Sequence, residues 1–574
     1  MESNVVMLID DLRCSEAKKK VNAIQQLDKI ARVIGPERTN SELLPFLMDI
    51  VDDEDEVLLE LAKALGNFLE YLGGKKNFSG LIKPLESLCT VEEGTVRTQA
   101  AKSIKKILSQ IRVKDFEDDF IKLFGRLVKG DWFTSKVSAT VILPSLYPEV
   151  SLSGQKQLFK LFSPLCEDSI PQVRKAAAIA LKDLILHIPK APEADLLELF
   201  ENLQRDTQDM VKMQGVECCI NFAKVLDTSK FQRYISPYIK AYAEEKSWRT
   251  RYLFATKIDE FGKVLGEEFT NTKLISYYCS FLKDPESEVR TAAASKLSEL
   301  SKVLDKDSVL DLIVPTFKGL ADDSFTYVRV ALAENMLSVC PIIGKSQTND
   351  HIIPVFLQFL RDTESEVRLA VFKNLINLNK VIGLESLSAS IIPAISELSG
   401  DKNWRTRVSV IEMLPLLAEQ LGEEVFKEKL LKMLLEWLSD PIFSIREHTM
   451  IAINNLGLIF GNAWVESSVL PTLLSFENNE NYLFRQIPLI AFRNLSGCLS
   501  PEFYSENVFP VLSTFATDKI INIRMNVSRV IMEFSHKLKG TEAEEKTVSL
   551  LNALKNDPEF DVSYFAIQAL RKFE

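Results

Sequence analysis

The sequence predicts an all-α superhelix, a solenoid of stacked helix pairs. Three observations carry that expectation: a short motif returning every 39 residues, apolar residues at helical spacing after each copy, and no competing strand pattern. The motif is Asp, four variable residues, an aliphatic residue and Arg. It reads DPESEVR at 284–290, DSFTYVR at 323–329, DTESEVR at 362–368, DPIFSIR at 440–446 and DKIINIR at 518–524. EKSWRTR at 245–251 and DKNWRTR at 401–407 fit the same frame. Its last position steps through Lys212, Arg251, Arg290, Arg329, Arg368, Arg407, Arg446, Arg485, Arg524 and Ser563, always by 39. Toward the N-terminus the register loosens: Lys20, Leu58, Arg97, Val137 and Arg174 follow at intervals of 38, 39, 40 and 37. The result is fifteen units over 574 residues.

Each unit reads as two helices. The first carries an apolar run with a proline eight residues before the acidic position, at Pro237, Pro315, Pro354, Pro393, Pro471 and Pro510. Proline removes a backbone donor and bends the helix there. The acidic residue then marks a short turn, and its carboxylate is expected to cap the second helix. That helix shows its stripe in VRLAVFKNLINL (367–378), with apolar residues at i, i+3, i+4 and i+7. Ala176, Ala292, Ala331 and Ala370 hold one position where neighbouring helices must come close. The recurring arginines (Arg251, Arg290, Arg329, Arg368, Arg407, Arg446, Arg485 and Arg524) are expected to pair with acids of the adjacent repeat, forming a ladder that fixes register. Helix pairs of this length cannot bury their stripes alone and must stack.

Composition narrows the function. Hydrophobic residues make up 46% and charged residues 26%, and the net charge is −11, so no basic excess exists to neutralise nucleic-acid phosphates. The eight cysteines are scattered without a CxxC pair, which fits a reducing compartment. The N-terminus lacks a basic, apolar leader, and no apolar run approaches the ~18 residues of a membrane span. The expected location is the cytoplasm, extending to the nucleus. Four histidines (His187, His351, His448 and His536) lie on different repeats without ligands at metal spacing, and no GxxxxGK[ST], GxGxxG or GxSxG occurs. No catalytic residue, metal or cofactor is expected.

Function should then reside where the turns depart from their average. The position three before the repeated arginine holds Pro171, Asp209, Trp248, Ser287, Thr326, Ser365, Trp404, Phe443, Tyr482, Ile521 and Phe560. Its last five members are large and apolar, and the three before them are small and polar. In a solenoid such turns lie at the edge, so the apolar five should form a ridge, and exposed aromatic series mark protein interfaces. A second adhesive segment is expected nearer the N-terminus, from Trp132 and Phe133 in GDWFTS, through Pro171 to Trp248, with acidic turns at Asp52–Glu56 and at Glu92 and Glu93. The residues between look like a spacer.

The units resemble HEAT repeats, and the chain as a whole resembles the scaffolding A (regulatory) subunits of type 2A protein serine/threonine phosphatases. The strings that carry this are ERTNSELLPFL (37–47), DDEDEVLLELA (52–62), GDWFTS (130–135), PQVRKAAA (171–178), EKSWRTRY (245–252), DKNWRTR (401–407), EMLPLLAEQLG (412–422) and NYLFR (481–485). The resemblance implies a solenoid of fifteen HEAT repeats with no catalysis of its own. It further implies two partners, a phosphatase catalytic subunit and one of several regulatory B-type subunits, in a heterodimeric core and a heterotrimer. On that reading residues 1–305 (repeats 1–8) dock the regulatory subunit, 306–384 (repeats 9–10) are a spacer, and 385–574 (repeats 11–15) dock the catalytic subunit. Trp404, Arg405, Phe443, Tyr482 and Ile520 or Ile521 match the catalytic-subunit ridge, and Phe560 continues its column. Glu92, Glu93, Trp132, Pro171, Lys175, Trp248 and Arg249 match the regulatory side, with Phe133 beside Trp132. Three positions depart from the family pattern: Lys175 replaces an arginine and loses its planar fork, Phe443 replaces a tyrosine, and Pro488 falls in a second helix, expected in its first turn. The competing expectation is an importin-β-like transport receptor, also acidic and built from HEAT repeats; such chains are usually longer, with more irregular repeats, which the strict 39-residue grid disfavours.

Overall fold

The computed structural model of the chain describes residues 2–50, 53–187, 193–497 and 499–573; Asp52 and Cys498 lie outside them. All regular structure among the described residues is helical, without a strand. Two compact units divide the chain, Met1–Gly266 and Glu267–Glu574, a division that falls inside the segment 1–305.

In each unit second helices stack on second helices. Gly94–Gln110 packs on Phe133–Leu146 and that on Pro171–Ile185 in the first unit; in the second, Ser287–Leu300 packs on Thr326–Asn335, and Trp404–Lys429 on Phe443–Phe460. The stripe explains the stacking. In Phe443–Phe460 the buried residues are Ile445, Thr449, Met450, Ala452, Ile453, Leu456 and Gly457, one face of a helix. Burying each large aliphatic side chain is worth about 1.5–3 kcal/mol. Ala292, Ala331 and Ala370 are buried where these helices meet. Cys89 and Cys340 belong to the same core, and burial pushes both thiols up to about 12, so they pack as small apolar groups.

The grid prolines have a local signature. Pro237, Pro315, Pro354, Pro471 and Pro510 each open a helix immediately after a π turn: Phe231–Ile235, Val309–Ile313, Thr348–Ile352, Val465–Val469 and Tyr504–Val508. Proline cannot donate to the carbonyl four residues back and its ring crowds that oxygen, which suits a widened turn. The turn does not require it, since Thr270–Leu274 is widened ahead of Ser276, and grid Pro393 lies inside the continuous helix Leu384–Ser399. The junction from one repeat to the next lies on the same 39-residue grid, at Asp227, Gly266, Asp305, Gly344, Gly383, Gly422, Gly461 and Ser500. The glycines hold φ between 77° and 90°, a region other residues avoid. Asp227, Asp305 and Ser500 instead keep extended backbone and accept a hydrogen bond from the amide three residues on, at 2.9, 2.7 and 3.1 Å. One corner is thus built by two chemistries.

Among the described residues, the stretch Thr326–Leu360 is long and apolar enough to cross a membrane by length and composition, with half of its apolar window buried. It is interrupted at Gly344 and Pro354 and supplies helices of two stacked repeats, which accounts for its hydropathy.

Candidate protein-docking turns

Ten second helices begin at a turn of one design. The acidic residue does not cap the helix. Its Oδ1 accepts from the amide two residues on, closing an Asx turn at 2.6–3.0 Å at Asp168, Asp206, Asp284, Asp323, Asp362, Asp401, Asp440, Asp518 and Asp557, with Asn479 in the same role. The helix starts at the residue after that amide, so the capping expectation is corrected. The repeated arginine then folds back, its Nη1 donating to the carbonyl oxygen six residues earlier; this holds for Arg251 (2.7 Å), Arg290 (2.7 Å), Arg446 (2.7 Å) and Arg524 (2.8 Å) alike.

The far side of the guanidinium reaches the next repeat. Arg290 grips Asp323 through Nε and Nη2 at 2.7 and 3.0 Å, Arg329 grips Asp362 at 2.7 and 2.9 Å, Arg485 grips Asp518 at 2.8 and 3.1 Å, and Arg524 grips Asp557 at 2.7 and 3.0 Å. Arg407 meets Asp440 through Nη2 alone, at 3.1 Å. Such forked, partly buried pairs are the strong kind. The Arg524 fork holds the Asp557 carboxyl below the usual carboxylate range, and Arg174 does the same to Asp206.

Two expected rungs are not formed. Arg368, buried, donates Nη2 to Ser409 Oγ at 2.6 Å and leaves Nε without a partner, and burial lowers its pKa. Arg446 has no acid to meet, because the next repeat offers Asn479; its guanidinium lies 5.6 Å from the Phe443 ring instead. Near the N-terminus Lys136, the neighbour of Val137, makes the rung to Asp168 at 2.8 Å, and Lys20 pairs with Asp53.

The apolar column occupies one structural place, the first residue of the second helix: Trp404, Phe443, Tyr482, Ile521 and Phe560 each open theirs. Phe443 is 55% exposed, Tyr482 38%, Ile521 42% and Phe560 78%. Trp404 is half-buried, and the exposed Arg405 lays its guanidinium 4.5 Å from the indole centre. Ile520 is half-buried at the N-cap. Pro488 sits seventh in Tyr482–Leu495, in its second turn, which corrects the first-turn expectation.

On the other segment Trp248 repeats the arrangement, half-buried under Arg249 at 4.7 Å, with Tyr252 edge-on at 6.3 Å. Trp132 is 73% exposed at the N-cap of Phe133–Leu146, while Phe133 is half-buried. Pro171 opens its helix, and Lys175 is half-buried one turn on. Glu92 is exposed, but Glu93 caps its own helix, accepting from the Thr95 amide and hydroxyl at 3.0 Å each, bonds that hold its carboxyl below the ordinary range. The two segments lie in different compact units, and Trp248 stands near the end of the first.

Reading one column misses its flanks. Ile442 and Leu483 are exposed beside Phe443 and Tyr482, and Tyr564 stacks on Phe560 at 6.1 Å, one turn along the helix. An i−1, i+1 and i+4 search around each column member finds them. Among the described residues no group of three or more His, Cys, Asp or Glu is placed to hold a metal ion.

Comparison with known proteins adds independent evidence. Residues 267–344 match the family described as PPP2R1A-like HEAT repeat, and residues 352–382 the HEAT repeat. A protein phosphatase PP2A regulatory subunit of Schizosaccharomyces pombe is 36% identical over 265 residues, covering 46% of this chain and 45% of that one. A Dictyostelium discoideum Protein phosphatase 2A scaffold subunit is 40% identical over 198 residues, 34% of each chain. A Drosophila melanogaster 65 kDa PP2A regulatory subunit is 44% identical over 174 residues, 30% of this chain and 29% of that one. The alignments thus span less than half the length of the curated relatives. Among solved structures, Kap121p bound to Pho4p matches with TM-score 0.60 at 14% identity, over 96% of this chain and 58% of that one; the Kap95:Nup1 complex matches with TM-score 0.54 at 14% identity, over 99% and 76%. At that identity they share the fold.

Proposed function

We propose that this chain, a HEAT-repeat protein homologous to the PP2A regulatory and scaffold subunits, is a non-catalytic scaffold that brings a type 2A phosphatase catalytic subunit together with a variable regulatory subunit. The observation that carries the proposal is the column of large apolar residues opening five consecutive second helices, from Trp404 to Phe560, four of them exposed. The frame beneath that column, an Asx turn with a repeated arginine in all but the Ser563 repeat, also supports polar residues elsewhere, so stability does not demand the aromatics. Recognition does: aromatic anchors flanked by arginine are what interface hot spots are made of. The catalytic subunit docks on Trp404, Arg405, Phe443, Tyr482, Ile520 or Ile521 and Phe560. The regulatory subunit docks on the turns bearing Glu92, Trp132, Pro171, Lys175, Trp248 and Arg249, with Glu93 orienting its turn.

The mechanism is effective concentration: two partners held on one chain meet substrate as a single body, which sets activity and substrate choice without new chemistry. The assembly works in the cytoplasm and extends to the nucleus. The test is capture of the purified catalytic subunit by full-length chain. Trp404→Ala and Tyr482→Ala should each weaken capture by roughly thirtyfold or more, at unchanged helical content. Capture unchanged by both overturns the ridge.

A further inference from the structure

The turns of repeats 8 to 10, small and polar at the column position, carry an exposed aromatic pair. Phe325 is 46% and Tyr327 44% exposed, on either side of Thr326, with ring centres 5.4 Å apart and planes at 43°. Tyr327 is held from the neighbouring turn: its hydroxyl is 2.6 Å from the buried Ser287 hydroxyl, which also donates to Glu288 at 3.0 Å. The pair is therefore fixed on a frame locked by the Arg290–Asp323 and Arg329–Asp362 forks.

Exposed charge on these turns is predominantly negative. The ladder acids Asp323 and Asp362 are neutralised by their arginines, but Glu286, Glu288, Asp322, Glu364 and Glu366 on the same three turns are exposed, and none of them forms an ion pair. Asp322 accepts only from the neutral Gln358 amide, at 2.7 Å. Lys283, Lys318 and Arg361 are the exposed bases nearest these acids in sequence, and Arg361 is engaged by Glu397 at 2.6 Å. Rings present a negative face that attracts cations, and surrounding carboxylates strengthen that preference. An apolar partner would leave five carboxylates unmatched, and an acidic one would be repelled.

We propose that the turns of repeats 8 to 10 are a docking site for a basic, extended segment of a partner protein, which seats an arginine or lysine against Phe325 and Tyr327 among these carboxylates. The site is separate from the Trp404–Phe560 ridge and does not depend on its assignment.

The experiment measures fluorescence anisotropy of a short labelled peptide of alternating arginine and serine against full-length chain. Peptides with glutamate or leucine in place of arginine serve as comparisons. The arginine peptide should bind, weakening steadily as salt rises. Phe325→Ala with Tyr327→Ala should lose about tenfold in affinity, and Glu286→Gln with Glu364→Gln about threefold with a shallower salt dependence. Phe443→Ala should bind the peptide like the parent. Equal binding by the parent and the aromatic variant overturns the proposal, as does leucine-peptide binding as tight as the arginine peptide's. Self-association of the chain that the aromatic variant abolishes would assign the patch to a second copy and overturn it too. Should the aromatic variant lose helical content, the exposed carboxylate pair decides, because those side chains support nothing in the frame: unchanged peptide affinity there overturns the proposal.

Discussion

The turns at 362–368 and 401–407 are neighbours of one design that differ in what they carry. Both close an Asx turn, at 2.9 Å from Asp362 and 2.6 Å from Asp401, and both fold an arginine back on the turn. In the first, Ser365 opens the second helix and Arg368 turns inward to Ser409; in the second, Trp404 opens the helix under Arg405 and Arg407 reaches Asp440. The frame is therefore a separate layer from the surface it presents. A residue at the helix start can change from serine to tryptophan without altering the turn beneath it, and a rung can be redirected without altering the surface.

The sharpest way to break that separation is at the two tryptophans. Trp248 and Trp404 have nearly the same stacked arginine, at 4.7 and 4.5 Å, yet their columns continue differently, into Ser287 and Thr326 in one case and Phe443 and Tyr482 in the other. Trp248→Ala should lose regulatory subunits while keeping the catalytic subunit, and Trp404→Ala the reverse, each by roughly thirtyfold or more. Affinity purification of each variant with quantitation of both partners checks it. If each tryptophan affects both partners equally, local stacking and not the column sets specificity.

Much of the frame is readable in the sequence, because a period survives any uncertainty about single residues. Ten rung positions spaced by 39 locate every second helix of the later repeats, and the apolar stripe gives each its buried face. What the period does not give is direction. Whether Asp401 caps a helix or closes an Asx turn depends on where the helix begins, a matter of one or two residues. Arg368 and Arg407 are identical in register, but a buried serine hydroxyl at Ser409 captures the first. Phe325 and Tyr327 escape a reading of the column because each lies one residue off it. The junction glycines at 344, 383, 422 and 461 form a second period, yet only their positive φ gives them a reason. Of the proposed docking residues, the apolar column follows from register alone, whereas Lys175, Arg249, Arg405 and Ile520 come from resemblance to a family, since nothing in their spacing marks them.

The frame can be broken without touching the ridge column. Asp557 receives the Arg524 fork at 2.7 and 3.0 Å, and both side chains are largely buried. Asp557→Asn should lower stability by about 2 kcal/mol, the scale of hydrogen bonds to a charged group, and leave capture through Trp404 intact. The pH dependence supplies a second readout. The folded carboxyl titrates below its unfolded value, so the unfolded chain binds more protons near pH 4; the rung's contribution is present above that range and is lost as pH falls through the folded pKa. Urea melts of parent and variant should therefore differ at neutral pH and converge in acid. A gap that persists unchanged below the carboxylate range would mean that Asp557 acts through packing and not through its charge.

The smallest effect is the most discriminating. Between the repeats of Arg446 and Arg485 the ladder lacks its acid: Asn479 closes the Asx turn as an aspartate would, at 2.9 Å, but offers Arg446 no charge. Asn479→Asp keeps the turn and adds a carboxylate at the position where Asp518 meets Arg485 and Asp557 meets Arg524. Arg446 already gives Nη1 to the Asp440 and Pro441 carbonyl oxygens, so Nε and Nη2 are the groups the new acid would engage. The gain should be below about 1 kcal/mol, because the new pair would compete with the contact between the guanidinium and the Phe443 ring. That competition gives the test its value. A small rise in melting temperature with unchanged catalytic-subunit capture places the frame and the surface in separate layers even where one arginine touches both. A rise accompanied by altered capture would show that Arg446 tunes the exposed Phe443, and the two layers would be coupled at that repeat.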